Sequence, residues 1–231
     1  MQRKTLKQKT VVEQVMEEIK NLVLSRAMFQ TYRSIAGFDT SLLWRHSFYC
    51  GLAARSLARM LKRQPEEFFV AGLIHDIGKL LIYRELEPNK VKELEFQRPI
   101  NFDITRDEVA VMGISHDQLG LRLLQKWMFP AWLTEAVGFH HNPEGTSGDF
   151  TNAFIIYLAD MVSHILDDLI TEPEKLRLKE QICSAENNKI AKKVNLILDE
   201  NFLGSFESEL QNEAIKEAEI IAMLTSDNGT G

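Results

Sequence analysis

The chain has 231 residues, of which 45% are hydrophobic and 26% are charged, as in ordinary globular proteins that bury a core. Its net charge of −6 argues against a broad nucleic-acid surface and against an anionic-membrane surface. Two cysteines outside any CxxC pattern, no signal-peptide core and no apolar run of spanning length predict a soluble, cytoplasmic protein without membrane insertion.

The first periodic segments predict helices. Apolar residues recur at intervals of three and four over 11–29 and over 42–63, which is the spacing of an amphipathic helix. Pro65, followed by two glutamates, is typical of a first helical turn. The next helix is therefore predicted over 65–81.

The middle of the chain changes character. Residues 84–112 are more charged and carry Pro88 and Pro99, so irregular structure is expected there. Ser115 is a good N-cap for a following helix, and Gln118, three residues later, predicts a capping box.

The remaining segments are also of helical type. We predict helices over 130–141 and 151–169, and two or three amphipathic helices over 171–224. No alternating strand pattern, repeat or linker is evident in the sequence. The fold class is therefore expected to be all-α, a single-domain helical bundle.

The domain limits follow from these segments. Residues 1–170 are expected to form the main helical domain, and the helices of 171–224 to pack on it, ahead of a disordered tail over 225–231. The last predicted helix carries an apolar stripe that consists of Phe206, Leu210, Ala214 and Ile221. We expect this stripe to pack on its own domain rather than on a second subunit.

An ionisable pair lies inside the apolar stretch "AGLIHDIGKLL". His75 and Asp76 are adjacent, so on a helix their side chains diverge by roughly 100°. Where a helix ends, such a pair can face one ion from two sides. The alternative is an N-cap or buried ion pair without metal.

Other histidines share this apolar setting. His46 lies on the apolar stripe of its predicted helix, where a satisfied core histidine is the alternative to a ligand. His116 lies in a first helical turn, and His140 and His141 lie at a helix end, where a favourable dipole interaction is the alternative. Asp160 lies on an apolar helix face and needs a partner if it is buried.

Together, five predicted helices offer an imidazole or a carboxylate beside an apolar stripe. Imidazole nitrogens combined with carboxylate oxygens suit one or two divalent transition-metal ions, namely Fe, Mn, Zn or Ni. Helical bundles commonly build metal sites from ligands on separate helices. A buried polar network without metal is the competing interpretation.

The ordered motifs "WRHS", "LIHDIGK", "SHDQLG", "GFHHNPEG" and "YLADMV" resemble the HD superfamily of metal-dependent phosphohydrolases. Within that superfamily, residues 11–169 resemble the HDOD family, which is related to the HD-GYP phosphodiesterases. The resemblance implies an all-α fold and a role in bacterial signal transduction.

The superfamily pattern also implies ligand roles. His46, His75, Asp76 and Asp160 match the ligands of a first metal ion. The histidines at 116, 140 and 141 resemble those that complete two-metal sites. If the site is active, the resemblance makes Asp76 a catalytic residue and Lys79 a phosphate contact, with a solvated lysine at a helix end as the alternative.

Two departures from the related families matter. HD-GYP proteins carry a glutamate one turn before the first histidine, and Leu42 occupies that position here. No GYP-type motif follows the paired histidines, so hydrolysis of cyclic di-GMP is not expected. HDOD regions carry further helices before the segment that resembles 11–40, so the chain is expected to be a fragment or a shortened variant.

The sequence therefore predicts an HDOD regulatory module with an HD-type metal site and without robust catalysis, whose partner is a signalling protein or a small nucleotide. The alternative is a two-metal phosphohydrolase acting on a nucleotide or cyclic dinucleotide. A third interpretation is an all-α domain whose histidines satisfy one another.

Overall fold

The computed structural model describes residues 40–90, 104–166 and 171–217, where every regular element is helical. The α-helices are α1 (Thr40–Met60), α2 (Pro65–Ile74), α3 (Ile77–Glu85), α4 (Ile104–Met112), α5 (His116–Lys126), α6 (Ala131–Gly138), α7 (Phe150–Ile165), α8 (Glu172–Ile182), α9 (Ala185–Ala191) and α10 (Glu200–Lys216). The all-α prediction is confirmed. The predicted helix over 11–29 and the tail lie outside the described residues. Among the described helices, none has the length and apolar character needed to cross a bilayer.

Helix α1 lies at the centre of the fold and contacts α2, α7 and α10. Its small residues allow close packing, since Ala53 and Ala54 are fully buried. On α2, a Cβ added at Gly72 would lie 2.8 Å from the carbonyl oxygen of Cys50. The backbones of α1 and α2 therefore pack against each other, which fixes the position of His46 relative to the end of α2.

The helix predicted over 65–81 is two helices. The break falls at His75 and Asp76, which form a turn between α2 and α3. The Nδ1 of His75 lies 2.6 Å from the Gly72 carbonyl oxygen, whereas the His75 backbone nitrogen lies 3.5 Å from it. The imidazole Nδ1–H thus donates to a carbonyl oxygen that would otherwise accept from the helix backbone, and the α-helical hydrogen bonds end there.

The expectation of irregular structure over 84–112 is wrong for its last part, because α4 is a helix. On this helix Glu108 is fully buried, whereas Val109 and Val111 are about half exposed. Met112 of the same helix packs against the core, but the two valines face solvent, so their spacing did not indicate the buried position of Glu108. Pro99 lies outside the described residues.

At the start of α5 the predicted N-cap position is correct and the capping box is wrong. Ser115 occupies the N-cap, but its hydroxyl donates to Asp117. The Gln118 amide instead donates to the Gly138 carbonyl oxygen at 3.1 Å. Gln118 therefore joins α5 to the end of α6, which stops before the predicted end at residue 141.

The segment after residue 171 contains α8, α9 and α10, in agreement with the two or three helices predicted there. Phe206 and Leu210 of the predicted stripe are buried, and Ala214 packs against the same core. Ile221 lies outside the described residues. Helix α10 contacts α1 through this stripe, so the described part of the stripe packs within the chain.

We expect Glu213→Gln to weaken the contact between α10 and α1. Glu213 Oε2 lies 3.0 Å from Arg55 Nη2, and Oε1 lies 2.7 Å from Arg59 Nη1. Although burial opposes ionisation, hydrogen bonds from Arg59 and Arg55 lower the pKa of Glu213. The substitution should cost about 1 kcal/mol of unfolding free energy at neutral pH, measured by urea denaturation.

The pH dependence provides the control. Because the pKa of Glu213 is lowered in the folded protein, its contribution is present above the ordinary glutamate pKa and is lost as the pH falls through the lowered value. The difference between the two proteins should therefore shrink on acidification below the ordinary pKa. A difference that stays constant would contradict the ion-pair explanation.

Candidate metal centre

All six histidines of the chain belong to groups of donors whose ligand atoms lie within 4.8 Å of one another. The donors come from separate elements: α1, the turn between α2 and α3, the first turn of α5, the turn after α6, and α7. The predicted donors brought together in this way are His46, His75, Asp76, His116, His140, His141 and Asp160.

Asp76 lies between two sets of histidines. Its Oδ2 is 3.5 Å from His75 Nε2 and 3.7 Å from His46 Nε2. Its Oδ1 is 3.1 Å from His116 Nε2 and 4.0 Å from His140 Nε2. The two oxygens of one carboxylate therefore face two clusters, as in a carboxylate that bridges two ions.

The first cluster consists of His46, His75, Asp76 and Asp160. His46 Nε2 is 3.0 Å from Asp160 Oδ1 and 3.3 Å from His75 Nε2, and His75 Nε2 is 3.5 Å from Asp160 Oδ1. Two donors that each bind one ion at about 2.1 Å lie about 3–3.5 Å apart at right-angled to tetrahedral geometry. The spacing of the first cluster fits one ion.

The second cluster consists of His116, His140 and His141, and it shares Asp76 with the first. His116 Nε2 lies 3.3 Å from His140 Nε2 and 3.0 Å from His141 Nε2. His140 and His141 lie in the turn after α6 rather than on a helix. In this turn the adjacent side chains converge, which the predicted continuous helix would not have allowed.

Backbone carbonyls fix the tautomers of two histidines. The Nδ1 of His75 lies 2.6 Å from the Gly72 carbonyl oxygen, and the Nδ1 of His140 lies 2.6 Å from the Val137 carbonyl oxygen. A carbonyl oxygen can only accept, so each Nδ1 carries the proton and donates. In the neutral imidazole, Nε2 is left with a lone pair directed into the centre.

His116 is oriented by Glu108, a residue that the sequence interpretation missed. One oxygen of the buried Glu108 carboxylate lies 2.6 Å from His116 Nδ1 and 2.8 Å from the His116 backbone nitrogen. A carboxylate behind a metal-binding imidazole fixes its orientation and raises its basicity. Because α4 was not predicted, no periodicity pointed to Glu108.

Ser163 orients His46, as Glu108 orients His116. The Ser163 hydroxyl donates to the Asp160 carbonyl oxygen at 2.7 Å, so its oxygen is available to accept from His46 Nδ1 at 3.1 Å. His46 Nε2 then faces Asp160 Oδ1. Four imidazoles from four elements thus present Nε2 to one small volume.

The Nε2 lone pairs that converge on the centre require positive charge between them. Burial, together with the charges of His75 and His116, lowers the pKa of His140 to about 4. His140 is therefore neutral near pH 7, and its Nε2 lone pair faces His116 Nε2 at 3.3 Å. Two such lone pairs repel each other unless a cation or a proton lies between them.

Protons are the alternative to metal. Burial disfavours imidazolium, yet Asp76 raises the pKa of His75 and Glu108 raises that of His116. Protons on these two rings would satisfy part of the centre. The donor set nevertheless fits transition metals, because imidazole nitrogens and carboxylate oxygens converge at ligand spacing.

The aspartates are ionised in this environment. Burial opposes their charge, but His75 and Lys79 lower the pKa of Asp76, and hydrogen bonds from His46 and His75 lower that of Asp160. Lys79 Nζ lies 2.6 Å from Asp76 Oδ2, and Lys79 is 4% exposed. The alternative of a solvated lysine is therefore wrong. Its role as a phosphate contact stays a prediction.

A cavity of about 570 Å³ borders both clusters. Its lining includes Asp160 of the first cluster and His141 of the second. The polar side chains around them are Thr105, Arg106, Ser115, Asp117, Asn142, Tyr157 and Gln181. This volume lies within the range that admits small molecules.

A family model described as the HDOD domain matches residues 11–143. The chain belongs to the HDOD family. The matched segment is more than half of the chain and includes every donor of the centre up to His141. The recognition made from the ordered motifs is confirmed.

Solved structures share the fold of this HDOD protein. The crystal structure of a "Putative phosphohydrolase" from Shewanella amazonensis aligns with a TM-score of 0.61 at 22% identity, over 83% of this chain and 66% of that chain. An HDOD domain protein from Geobacter sulfurreducens gives 0.60 at 18% identity, over 81% and 63%. A "Putative signal transduction protein" from Marinobacter aquaeolei gives 0.59 at 19% identity, over 79% and 39%.

One curated protein, from Treponema pallidum and described as uncharacterized, is 24% identical over 102 residues. That match takes in 43% of this chain and 20% of the relative. The HDOD chain therefore spans a fifth of the length of this relative and about two thirds or less of each structural neighbour.

Proposed function

We propose that this HDOD protein is a signalling module that holds two divalent transition-metal ions, chosen from Fe, Mn, Zn and Ni. The observation that carries the proposal is the pair of facing Nε2 atoms of His116 and His140, 3.3 Å apart, with both Nδ1 atoms already donating. Such a pair fits a shared cation. The bridging position of Asp76 supports a second ion beside the first.

Each of the two clusters would provide the ligands of one ion. His46, His75 and Asp160 would hold the first ion, the second cluster of three histidines would hold the other, and Asp76 would contribute one oxygen to each. Bound divalent ions supply Lewis-acid charge that attracts and polarises phosphoryl oxygens. Lys79 balances part of the charge on Asp76, and Glu108 holds the imidazole of His116 in place.

A regulatory role follows from the positions of the donors. They lie on α1, α5, α7 and two turns, so ion binding ties together elements that are distant in sequence. Metal binding of this kind contributes directly to the free energy of folding. We infer that metal or nucleotide occupancy stabilises one arrangement of these helices, which a signalling partner then recognises.

Elemental analysis tests the proposal. Full-length protein purified without chelator should contain one to two transition-metal ions per chain by inductively coupled plasma mass spectrometry. Chelator treatment should lower the melting temperature, because an ion that binds the folded state stabilises it. Protein that contains no metal and binds none at neutral pH would instead favour the network of protonated histidines.

A two-metal phosphohydrolase is the second candidate function, and the cavity is the observation that favours it. Asp160 and His141 connect the cavity to both clusters, and Arg106 adds a cation to its lining. Leu42, on α1 one turn before His46, offers no carboxylate where HD-GYP enzymes carry glutamate. This difference argues against a cyclic dinucleotide and in favour of a linear nucleotide.

A nucleotide panel supplied with Mn²⁺ or Fe²⁺ distinguishes the two functions. Binding without turnover supports the signalling module, and turnover that Arg106→Ala reduces supports the phosphohydrolase. Val109→Ala is a matched control on the same helix and the same cavity wall. It removes apolar surface from the lining without removing the cation.

We expect Glu108→Gln to weaken metal binding at the second cluster about 10–100-fold. The amide keeps the size of the side chain but lacks the negative charge that His116 Nδ1–H and the His116 backbone N–H now contact. Competition titration with a chromogenic chelator measures the change. Asp107→Asn, a neighbouring charge removal on α4, is the control and should leave the affinity unchanged.

A further inference from the structure

His164 lies one helical turn after Asp160 on α7, outside the seven donors that the motifs indicate. Residues four apart on a helix share a face. His164 Nε2 lies 3.5 Å from Asp160 Oδ1, the oxygen that is also 3.0 Å from His46 Nε2. A single carboxylate oxygen therefore faces both imidazoles.

We propose that His164 is an additional ligand of the first ion, on the side of the centre that is nearest to solvent. The proposal rests on the proposed function, since it requires that the first cluster binds an ion. It adds an imidazole to the ligand set and extends the centre along α7.

Ring geometry supports a shared ion. The rings of His46 and His164 stack with centroids 4.4 Å apart and planes inclined by 24°. Both rings have Nε2 near the same oxygen, because Asp160 Oδ1 lies 3.0 Å from His46 Nε2 and 3.5 Å from His164 Nε2. The ligand atoms of His46, Asp160 and His164 lie within 4.8 Å of one another, so small side-chain movements bring them to the spacing of donors on one ion.

Burial places His164 at the rim. The side chains are 4% exposed for His46, 10% for Asp160 and 15% for His164. Asp160 also lines the cavity. His164 is therefore the outermost donor of the first cluster, the position at which a ligand controls how readily an ion is released.

The competing explanation is an ion pair without metal. In that case a protonated His164 pairs with Asp160 and stacks on His46, as partly exposed histidine and aspartate often do. Removing His164 would then change stability and leave the affinity for metal unchanged. The two explanations thus differ in a binding measurement.

The test compares His164→Gln with His164→Glu in the full chain. The two side chains have similar size, and the carboxylate can bind an ion that the amide binds poorly. With Zn²⁺ as the probe, we expect His164→Gln to release one ion at least about tenfold more readily than the wild type, and His164→Glu to recover most of the loss. Tyr157→Phe, on the same helix and the same cavity, should retain both ions.

Wild-type affinity in His164→Gln would overturn the proposal. If that variant fails to fold, the proposal is tested on the wild-type protein by NMR of its histidine ¹⁵N resonances. Zn²⁺ should shift the Nε2 signal of His164 together with that of His46, and an unshifted His164 signal overturns the proposal. A wild-type protein that binds no Zn²⁺ at all contradicts the proposed function itself, which separates the two failures.

Discussion

If the protein holds two ions as proposed, Asp76→Ala is expected to remove both of them. The carboxylate faces the first cluster with Oδ2 and the second with Oδ1, at 3.5 Å from His75 Nε2 and 3.1 Å from His116 Nε2. Alanine removes a donor and a negative charge from each cluster. It also leaves the Lys79 ammonium buried without its carboxylate neighbour, at a cost of about 3–5 kcal/mol of unfolding free energy.

Metal stoichiometry and thermal unfolding measure this prediction together. Chelator should lower the melting temperature of the wild type and leave that of Asp76→Ala unchanged, because the variant has no ion to lose. His46→Ala and His141→Ala are the matched controls. Each touches one cluster, so each should lose one ion and keep the other.

A double variant separates charge burial from ligand loss. Asp76→Ala with Lys79→Met removes both partners of the buried pair and should regain stability relative to Asp76→Ala. It should still bind no metal, since the bridging carboxylate is absent. An Asp76→Ala protein that keeps two ions would contradict the bridging role.

Much of the centre was predictable because its donors follow helical spacing and an ordered motif. His46 and Asp160 lie on apolar helix faces, where an unpaired ionisable group is costly. A partner for each was therefore required by the sequence, and the structure places them 3.0 Å apart. The order of the motifs then identified the family.

Other parts depend on contacts that local patterns do not encode. Glu108 is buried on a helix whose valines are exposed, so the apolar pattern did not indicate that Glu108 is buried. Lys79 resembles a solvated residue until Asp76 is placed beside it. In both cases a charged residue is buried because a partner compensates its charge: Asp76 at the start of the same helix for Lys79, and His116 on the next helix for Glu108.

The turn at His75 and Asp76 is another feature that the local sequence pattern did not predict. Helix propensity favoured continuation through 65–81, and the side chain of His75 ends α2 by binding the Gly72 carbonyl. The break permits His75 and Asp76 to reach one cluster from the same short turn. Local preference is overridden because the packing of α1 on α2 and of α3 on α5 fixes where these side chains lie.

Gly78→Ala is expected to separate α3 from α5 and dismantle the second cluster. A Cβ at Gly78 would lie 2.0 Å from the His116 carbonyl oxygen and 3.0 Å from the Gly120 backbone nitrogen. These atoms belong to the backbone of α5 and cannot rotate away like a side chain. The helices must move apart, which carries His116 away from Asp76, now 3.1 Å distant.

The overpacking should cost at least about 1–3 kcal/mol of unfolding free energy. If each cluster holds an ion as proposed, the second cluster should release its ion while the first keeps its own. Urea denaturation and metal stoichiometry measure the two effects. Gly204→Ala, on α10 with no atom within 4 Å of the added Cβ, is the control and should be neutral or stabilise by about 0.5–1 kcal/mol. Because both substitutions add one methyl group to a helical glycine, equal effects would contradict the close contact between α3 and α5.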